Sequence, residues 1–215
     1  NSKDVKINLT PELTEKVVQA TLGLTRNEAE NVFAKALLKD NNFGPEDLPD
    51  IIAEKKQLIR KSGILDFISF STKMNDVGGL EELKKWLNQR SMSFSEKARQ
   101  YGLPAPKGLL LLGVQGCGKS LAAKSIAAEW SLPLLRLDVG KIFNSFIGDS
   151  EKNMRNAINL AEAMSPAILW LDEIEKGFSG TQSSGSVDAG VTARVFATFL
   201  TWMQEKEKPV FVIAT

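Results

Sequence analysis

The strongest constraint on the fold is an eight-residue stretch, Gly113-Val-Gln-Gly-Cys-Gly118-Lys119-Ser120, which fits the phosphate-binding pattern G-x-x-x-x-G-K-[ST]. Glycines let the backbone turn tightly, so that successive N–H groups converge on phosphate oxygens. A continuously apolar run, Gly108 to Leu112, precedes the stretch, and residues 120–129 after it are rich in helix formers. This order predicts a strand buried on both faces, a glycine loop and a helix whose N-terminus faces the phosphates.

A second motif, Ile168-Leu-Trp-Leu-Asp172-Glu173, is an apolar run that ends in two adjacent carboxylates. Beside a phosphate loop, Lys119 would reach the β- and γ-phosphates and the Ser120 hydroxyl would ligate Mg²⁺. We expect Asp172 to hold this metal through its water shell, because Mg²⁺ gives up water reluctantly. Glu173 is placed to polarise the attacking water. The predicted catalytic residues are therefore Glu173, Asp172 and Lys119.

The predicted ligands are ATP and Mg²⁺. The metal ligands are Ser120 and Asp172, and the phosphate loop supplies the nucleotide-binding residues Gly113, Val114, Gln115, Gly116, Cys117, Gly118, Lys119, Ser120 and Leu121. Cys117 is the only cysteine, so the sequence printed here allows no internal disulfide. A small side chain tolerated in the loop is favoured for it over a reactive thiol.

Composition excludes several other classes of protein. The 215 residues contain no histidine, which removes histidine-based catalysis and histidine metal sites. The net charge is +1 with both signs interspersed, so there is no bulk electrostatic argument for nucleic acid or an anionic membrane. No apolar run is long enough to span a bilayer, and the first residues lack the apolar core of a secretion signal.

The pattern of the chain changes near Gly63. Residues 1–63 predict a small helical unit. Its helices are expected to start at Pro11, after the cap Thr10, at a Thr25–Glu28 capping box and near Asp47. Residues 64–215 alternate between predicted strands and helices, which implies an α/β fold with a parallel sheet and helices on both faces. The strands are expected at 108–112, 134–137, 167–171 and 210–214, and the helices at 120–129, 153–164 and 191–204. Because the sequence ends inside its last strand, we expect a core that is incomplete at its C-terminus.

Four motifs together resemble the AAA ATPases in order and spacing, over about residues 70–215. They are Asp76-Val-Gly-Gly-Leu80, Gly108 to Ser120, Phe146-Ile-Gly-Asp-Ser-Glu151 and Leu171-Asp-Glu-Ile174. The resemblance implies a P-loop NTPase sheet of the AAA type, in which the loop and the acidic strand are the Walker A and Walker B motifs. Within the family the likeness is to members from cyanobacteria and algal plastid genomes, which implies a cyanobacterial cytoplasm or a plastid stroma.

The resemblance also assigns roles that the residues alone do not. Val77 and Gly78 match positions whose backbone meets adenine. Phe146, Ile147 and Gly148 match a pore loop that grips a threaded polypeptide, the alternative being that Phe146 is ordinary core. The Gly/Ser-rich stretch 179–186 matches a second pore loop, with a plain linker as the alternative. Residues 11–39 look like the helical lid that follows an AAA core, which suggests another ATPase-like module upstream.

Taken together, these features predict a Mg²⁺-dependent ATPase that forms a homo-oligomeric ring and remodels a protein client contacted by Phe146 and Ile147. The alternative is a nucleotide-gated scaffold with little turnover, because hydrolysis also needs an arginine from a neighbour. A DNA-acting relative ranks last, since no basic cluster is evident. No nucleic-acid or membrane partner is expected. The loop departs from the family pattern in having Val-Gln-Gly-Cys where many members have Pro-Pro-Gly-Thr.

Overall fold

The structure is a computed structural model that describes residues 6–7, 10–21, 24–61, 63–69, 72, 74–94, 98, 100–143, 149–175 and 186–215. The chain divides into two compact units, residues 1–63 and 64–215. The predicted pore-loop residues Phe146, Ile147 and Gly148 lie outside the described residues, as does the stretch 179–185 of the second predicted loop.

The first unit contains the three predicted helices, α1 (Pro11–Thr21), α2 (Arg26–Asp40) and α3 (Leu48–Lys61), with a short parallel pair, β1 (Lys6–Ile7) and β2 (Asn42–Phe43). The predicted capping box is confirmed, because the Glu28 N–H donates to Thr25 Oγ1 at 3.4 Å and the Thr25 N–H donates to Glu28 Oε2 at 2.8 Å. Apolar faces of the helices meet in one small core, formed by Leu13, Val17, Val32, Ala36, Phe43 and Ile51.

The second unit is built on a five-stranded sheet. Its strands are β3 (Leu65–Ile68), β4 (Gly108–Leu110), β5 (Leu134–Asp138), β6 (Ala167–Asp172) and β7 (Val210–Ala214), in the order β3-β5-β6-β7-β4. The predicted parallel arrangement is confirmed for β4 to β7. It does not extend to the edge strand β3, which runs antiparallel to β5. Parallel neighbours in a sheet are usually joined by a crossover helix. Strand β3 lies before the repeating strand–helix pattern and is not joined to β5 by one such helix, so it is free to pair antiparallel.

Helices pack around this sheet. They are α4 (Glu81–Arg90), α5 (Lys119–Glu129), α6 (Val139–Phe143), α7 (Asp149–Ala163) and α8 (Ser186–Glu205). Side chains alternate along each strand, so Ile168 and Trp170 of β6 join one core with α4 and α5. Within that core the rings of Trp130 and Phe211 meet edge to face at 4.8 Å, and the Trp130 indole N–H donates to the Leu87 carbonyl at 3.2 Å. These contacts fix α5 against the sheet.

The first strand of the phosphate-loop unit differs from its prediction. The apolar run Gly108 to Leu112 was expected to be buried on both faces, but β4 ends at Leu110. Leu110 is 56% exposed and Leu112 is 83% exposed. Successive side chains point to opposite faces, so Leu109 and Leu111 pack against the core that includes Leu87 and Ile126, whereas Leu110 and Leu112 point away from it. Strand β4 is also the edge strand of the described sheet and pairs only with β7. Among the described helices, none is both long enough and apolar enough to cross a membrane.

Candidate nucleotide site

The loop between β4 and α5 is a cradle made of backbone. Gly116 and Gly118 have φ of 81° and 89°, a left-handed conformation that a side chain would strain. Beside either glycine the space that a Cβ would enter is open, with no atom within 4 Å. At Gly113 the restriction is contact rather than conformation, since a Cβ there would lie 2.6 Å from Cys117 Sγ. Gly118 caps α5, so the free N–H groups of that helix begin at this loop.

Lys119 carries the positive charge of the loop. Its Nζ donates to the carbonyls of Gly113 and Val114, at 2.9 and 3.0 Å. Both acceptors are neutral backbone groups of the loop itself, so the ammonium is held at the loop without an ion pair to a carboxylate in these contacts. A phosphate oxygen would make a stronger, charge-assisted hydrogen bond with the same donor.

The acidic end of β6 is held by side chains from its own strand and from β7. Asp172 Oδ1 accepts from Thr215 Oγ1 at 3.2 Å, and the same hydroxyl oxygen accepts from the Trp170 indole N–H at 3.0 Å. The Thr215 N–H donates to the Leu171 carbonyl at 3.0 Å, which extends the β6–β7 pairing to the site. Glu173 follows with φ of 55°, a left-handed conformation that is uncommon outside glycine, and its side chain is exposed.

A second charged group approaches Asp172 from β5. Arg136 Nη1 lies 3.9 Å from Asp172 Oδ2, and Arg136 Nη2 lies 3.0 Å from Asp66 Oδ2 on β3. Lys141 Nζ also contacts Asp66, at 3.1 Å. Partial burial raises the pKa of the Asp66 carboxyl, but hydrogen bonds and charge from Arg136 and Lys141 outweigh it, so this pKa lies below its ordinary value.

A cavity of about 390 Å³ joins the loop to the strand end. It falls within the usual volume of a small-molecule site. Sequence-predicted residues supply most of its lining, namely Gln115, Gly116, Gly118, Lys119, Ser120, Leu121, Asp172 and Glu173. Two lining residues were missed, Glu175 and Thr215. The register of the parallel strands could have indicated Thr215, because it directly follows Ala214, which pairs with Leu171, just as Asp172 directly follows Leu171.

Other predicted residues do not line this cavity. Gly113, Val114 and Cys117 belong to the loop but lie outside the lining. The turn that contains Val77 and Gly78 also lies outside it, and the Val77 side chain is buried in the core that includes Ile126 of α5. Gly78 is exposed. Because the Val77 side chain is buried and Gly78 has none, these two residues could meet a ligand only through backbone atoms, and the adenine contact stays a prediction.

The donor chemistry of the cavity fits magnesium bound with a nucleotide. Ser120 and Asp172 offer hard oxygen ligands, which Mg²⁺ prefers. Over the described parts of the chain, no group of three or more acidic, cysteine or histidine side chains could hold a metal alone. A metal here would need phosphate and water oxygens to complete its shell, and Mg²⁺ usually keeps several waters.

Comparisons with known proteins identify the family of the chain. Residues 109–215 match the family described as "ATPase family associated with various cellular activities (AAA)", and residues 1–62 match "SpoVK-like AAA ATPase, second domain". The chain belongs to the AAA ATPases. A solved structure, "Crystal structure of FIGL-1 AAA domain in complex with ADP", matches 75% of this chain and 53% of its own with a TM-score of 0.55 at 21% identity, which shows the shared fold.

The chain is similar to proteins described as "Uncharacterized AAA domain-containing protein ycf46". It is 50% identical to the one from Pyropia yezoensis over 214 residues, 100% of this chain and 43% of that protein. The counterpart from Guillardia theta is 51% identical over 94% of this chain and 39% of its own length. A more distant relative, "ATPase family protein 2 homolog" from Caenorhabditis elegans, is 33% identical over 75% of this chain and 23% of its own length. The chain thus spans less than half the length of these relatives.

Proposed function

We propose that residues 64–215 form a domain that binds ATP with Mg²⁺ and hydrolyses it. The observation that carries this proposal is the single cavity in which the phosphate-loop lysine, the Ser120 hydroxyl and the Asp172 and Glu173 carboxylates meet. The FIGL-1 AAA domain, which has the same fold, is in complex with ADP in its solved structure, which supports a nucleotide as the ligand.

Each residue has a distinct task in this proposal. The N–H groups around Gly116 and Gly118 and the Lys119 ammonium bind the phosphates and offset the charge that develops during phosphoryl transfer. Ser120 and Asp172 would hold Mg²⁺, which would supply positive charge beside the phosphates. Glu173 stands at the end of the strand and orients the attacking water. Thr215 keeps the Asp172 carboxylate in one orientation through its 3.2 Å hydrogen bond.

We further propose that the whole protein forms a homo-oligomeric ring and remodels a protein client contacted by Phe146 and Ile147. Its support is membership of the AAA family and the order of the motifs. In the same way, residues 1–63 would be the lid of an upstream ATPase-like module, consistent with their match to a second domain and with relatives more than twice as long. The proposed location is a plastid stroma or a cyanobacterial cytoplasm, and the algal sources of the two relatives support the plastid.

The test uses the full-length protein in three measurements, namely MgATP affinity, steady-state phosphate release and affinity capture with Glu173→Gln. ATP binding with turnover that a captured client accelerates supports the motor. ATP binding with negligible turnover, alone and with every captured protein, supports the scaffold instead. No ATP binding at millimolar nucleotide contradicts the whole proposal.

Phe146→Ala separates a gripping residue from a core residue. A residue that only grips the client would leave nucleotide binding intact, and its loss would abolish stimulation by the client. A core residue would instead cost about 3–5 kcal/mol of stability on truncation. Thermal unfolding and client-stimulated phosphate release, measured on one preparation, distinguish the two roles. A destabilised protein that loses all activities in proportion would contradict the client contact.

A further inference from the structure

One cation on the sheet is shared between two carboxylates. Arg136 is opposite Asp66 in the antiparallel β3–β5 pairing and opposite Trp170 in the parallel β5–β6 pairing. Asp172 lies two residues beyond Trp170, so all three charged side chains project from the same face of the sheet. The Arg136 guanidinium therefore lies between Asp66 of β3 and the Asp172 carboxylate, which is predicted to hold the metal.

The sharing is unequal. Arg136 makes a hydrogen bond of 3.0 Å to Asp66, whereas its distance to Asp172 is 3.9 Å, which is an ion pair without a hydrogen bond. Arg136 Nε is buried and has no hydrogen-bond partner in the part of the chain that the structure describes. Asp66 thus holds the Arg136 guanidinium in a position that leaves the Nε–H of Arg136 without an acceptor among the described residues.

The two oxygens of Asp172 have different neighbours. Oδ1 accepts from Thr215, and Oδ2 faces Arg136. A cation that closed onto Oδ2 would compete with Mg²⁺ for the same negative charge, and the competition is strong because the site is only partly in contact with water. The distance between Arg136 and Asp172 therefore matters for metal binding.

We propose that Asp66 and Arg136 are positioning residues for the metal site, with Asp66 holding Arg136 away from Asp172 so that this carboxylate remains available to Mg²⁺. The inference rests on the proposed function, since it assigns the metal to Asp172. Loss of the Asp66 charge releases Arg136 to bind Asp172 and lowers the affinity of the site for Mg²⁺. Loss of Arg136 removes the competing cation and raises that affinity.

Two further charged groups adjoin this network. Lys141 contacts Asp66 through both carboxylate oxygens, at 3.1 and 3.4 Å, but no contact joins it to Asp172 among those resolved. Asp138 is beside Asp172 in the β5–β6 pairing, and its Oδ1 accepts from the Gly140 N–H at 3.0 Å. Lys141→Met leaves Asp66 wholly to Arg136, so it should not weaken the metal, unlike Asp66→Asn.

The experiment measures the dissociation constant of a fluorescent, slowly hydrolysed ATP analogue on the full-length protein, once in EDTA and once in excess Mg²⁺. The dissociation constant in EDTA divided by the dissociation constant in Mg²⁺ reports how much the metal contributes to binding. Asp66→Asn should lower this ratio about 5-fold and Arg136→Met should raise it about 5-fold. The double variant should match Arg136→Met alone, because Asp66 acts only through Arg136.

Arg194→Gln is the matched control, since it removes an arginine from an ion pair with Glu151 (2.8 Å) between α7 and α8. It should leave the ratio unchanged. Thermal unfolding of every variant shows whether stability is lost in general. A general loss would not move the ratio in opposite directions in Asp66→Asn and Arg136→Met. If the wild-type ratio is well above one and Asp66→Asn and Arg136→Met both leave it unchanged, the positioning role alone is overturned. A wild-type ratio of one, or no binding at all, would overturn the proposed metal site and this inference together.

Discussion

The two halves of the candidate site are built in different ways. The phosphate loop is defined by backbone, with left-handed glycines at 116 and 118 and open space around them. The acidic strand end is defined by side chains, because Asp172 is oriented by Thr215, Thr215 is bound by Trp170, and Arg136 approaches from the next strand. The loop is a local structure, whereas the strand end depends on residues from β3, β5, β6 and β7.

This difference has a consequence for tolerance to substitution. In the loop a change matters when it alters the conformation of the backbone or removes the one charge at Lys119. At the strand end, a change in a residue outside the cavity lining can alter the Asp172 carboxylate, which we propose holds Mg²⁺. We therefore expect ligand binding at the loop to be sensitive to substitution at few positions. At the strand end we expect substitutions at several positions to have effects of different sizes.

The largest effect should follow loss of the loop cation. Lys119→Ala removes the only side-chain charge that the loop directs at the phosphates, and the loss of its charge-assisted hydrogen bonds should weaken MgATP about 1,000-fold. Isothermal titration measures the affinity. Lys124→Ala is the control, because Lys124 lies on the same helix, α5, outside the cavity lining. Equal affinities for Lys119→Ala and wild type would refute the assignment of the loop.

Glu173→Gln should separate binding from chemistry at the strand end. The amide keeps the shape of the side chain but cannot accept the proton of water, so hydrolysis should fall at least about 100-fold while ATP still binds. Phosphate release and nucleotide affinity are measured together. Glu175→Gln supplies the control, since Glu175 lines the same cavity one residue past Ile174. Wild-type turnover in Glu173→Gln would show that another group activates the water.

Thr215→Val tests whether the strand end works as a network. Valine has nearly the same shape but leaves the buried Trp170 indole N–H without its acceptor, which should cost about 1–3 kcal/mol of unfolding free energy. It should also reduce phosphate release about 10-fold, because the Asp172 carboxylate loses its hydrogen bond from Thr215. Urea unfolding and phosphate release provide the two readouts. The same change at Thr198, whose hydroxyl donates to the Arg194 carbonyl within α8, should leave turnover unaltered.

The smallest expected effect compares two glycines with equal space around them. A Cβ would meet no atom within 4 Å at Gly116 or at Gly78, but only Gly116 has a left-handed φ, of 81°. Gly116→Ala should cost about 1–2 kcal/mol of stability through backbone strain alone, and Gly78→Ala should cost much less. Thermal unfolding monitored by circular dichroism makes the comparison. Equal losses in the two variants would mean that conformation is not what requires glycine in the loop.

The sequence predicted the local parts of this molecule better than the parts that depend on distant neighbours. The glycine loop, the capping box at Thr25 and the core strands of the sheet follow from short patterns whose physical cause lies within a few residues. Strand β3 was missed because it stands before the repeating strand–helix pattern and is defined by its antiparallel pairing with β5. Arg136 and Thr215 were missed because their neighbours are created by strand register, which no short motif contains.

The exposed face of β4 has the same kind of cause. An apolar run predicts a strand, but it does not indicate whether neighbours lie on both sides of that strand. Leu109 and Leu111 pack against the core with α4 and α5, whereas Leu110 and Leu112 point to the other face and are exposed. The apolar run therefore predicted the strand correctly and its burial on both faces wrongly.

The hydrogen bond from Trp170 to Thr215 gives the protein an internal optical reporter. Trp170 is 2% exposed, and its indole N–H shares one hydroxyl with the Asp172 carboxylate. The emission of an indole responds to the charge and the hydrogen bonding around its ring, so a change at this carboxylate should alter the fluorescence of the protein without an added dye. The other tryptophans are Trp86 and Trp130 in the aromatic core and Trp202, which donates to Glu162 at 2.7 Å. A chain that keeps Trp170 and carries phenylalanine at those positions would make the ligand state of the site visible in a stopped-flow trace.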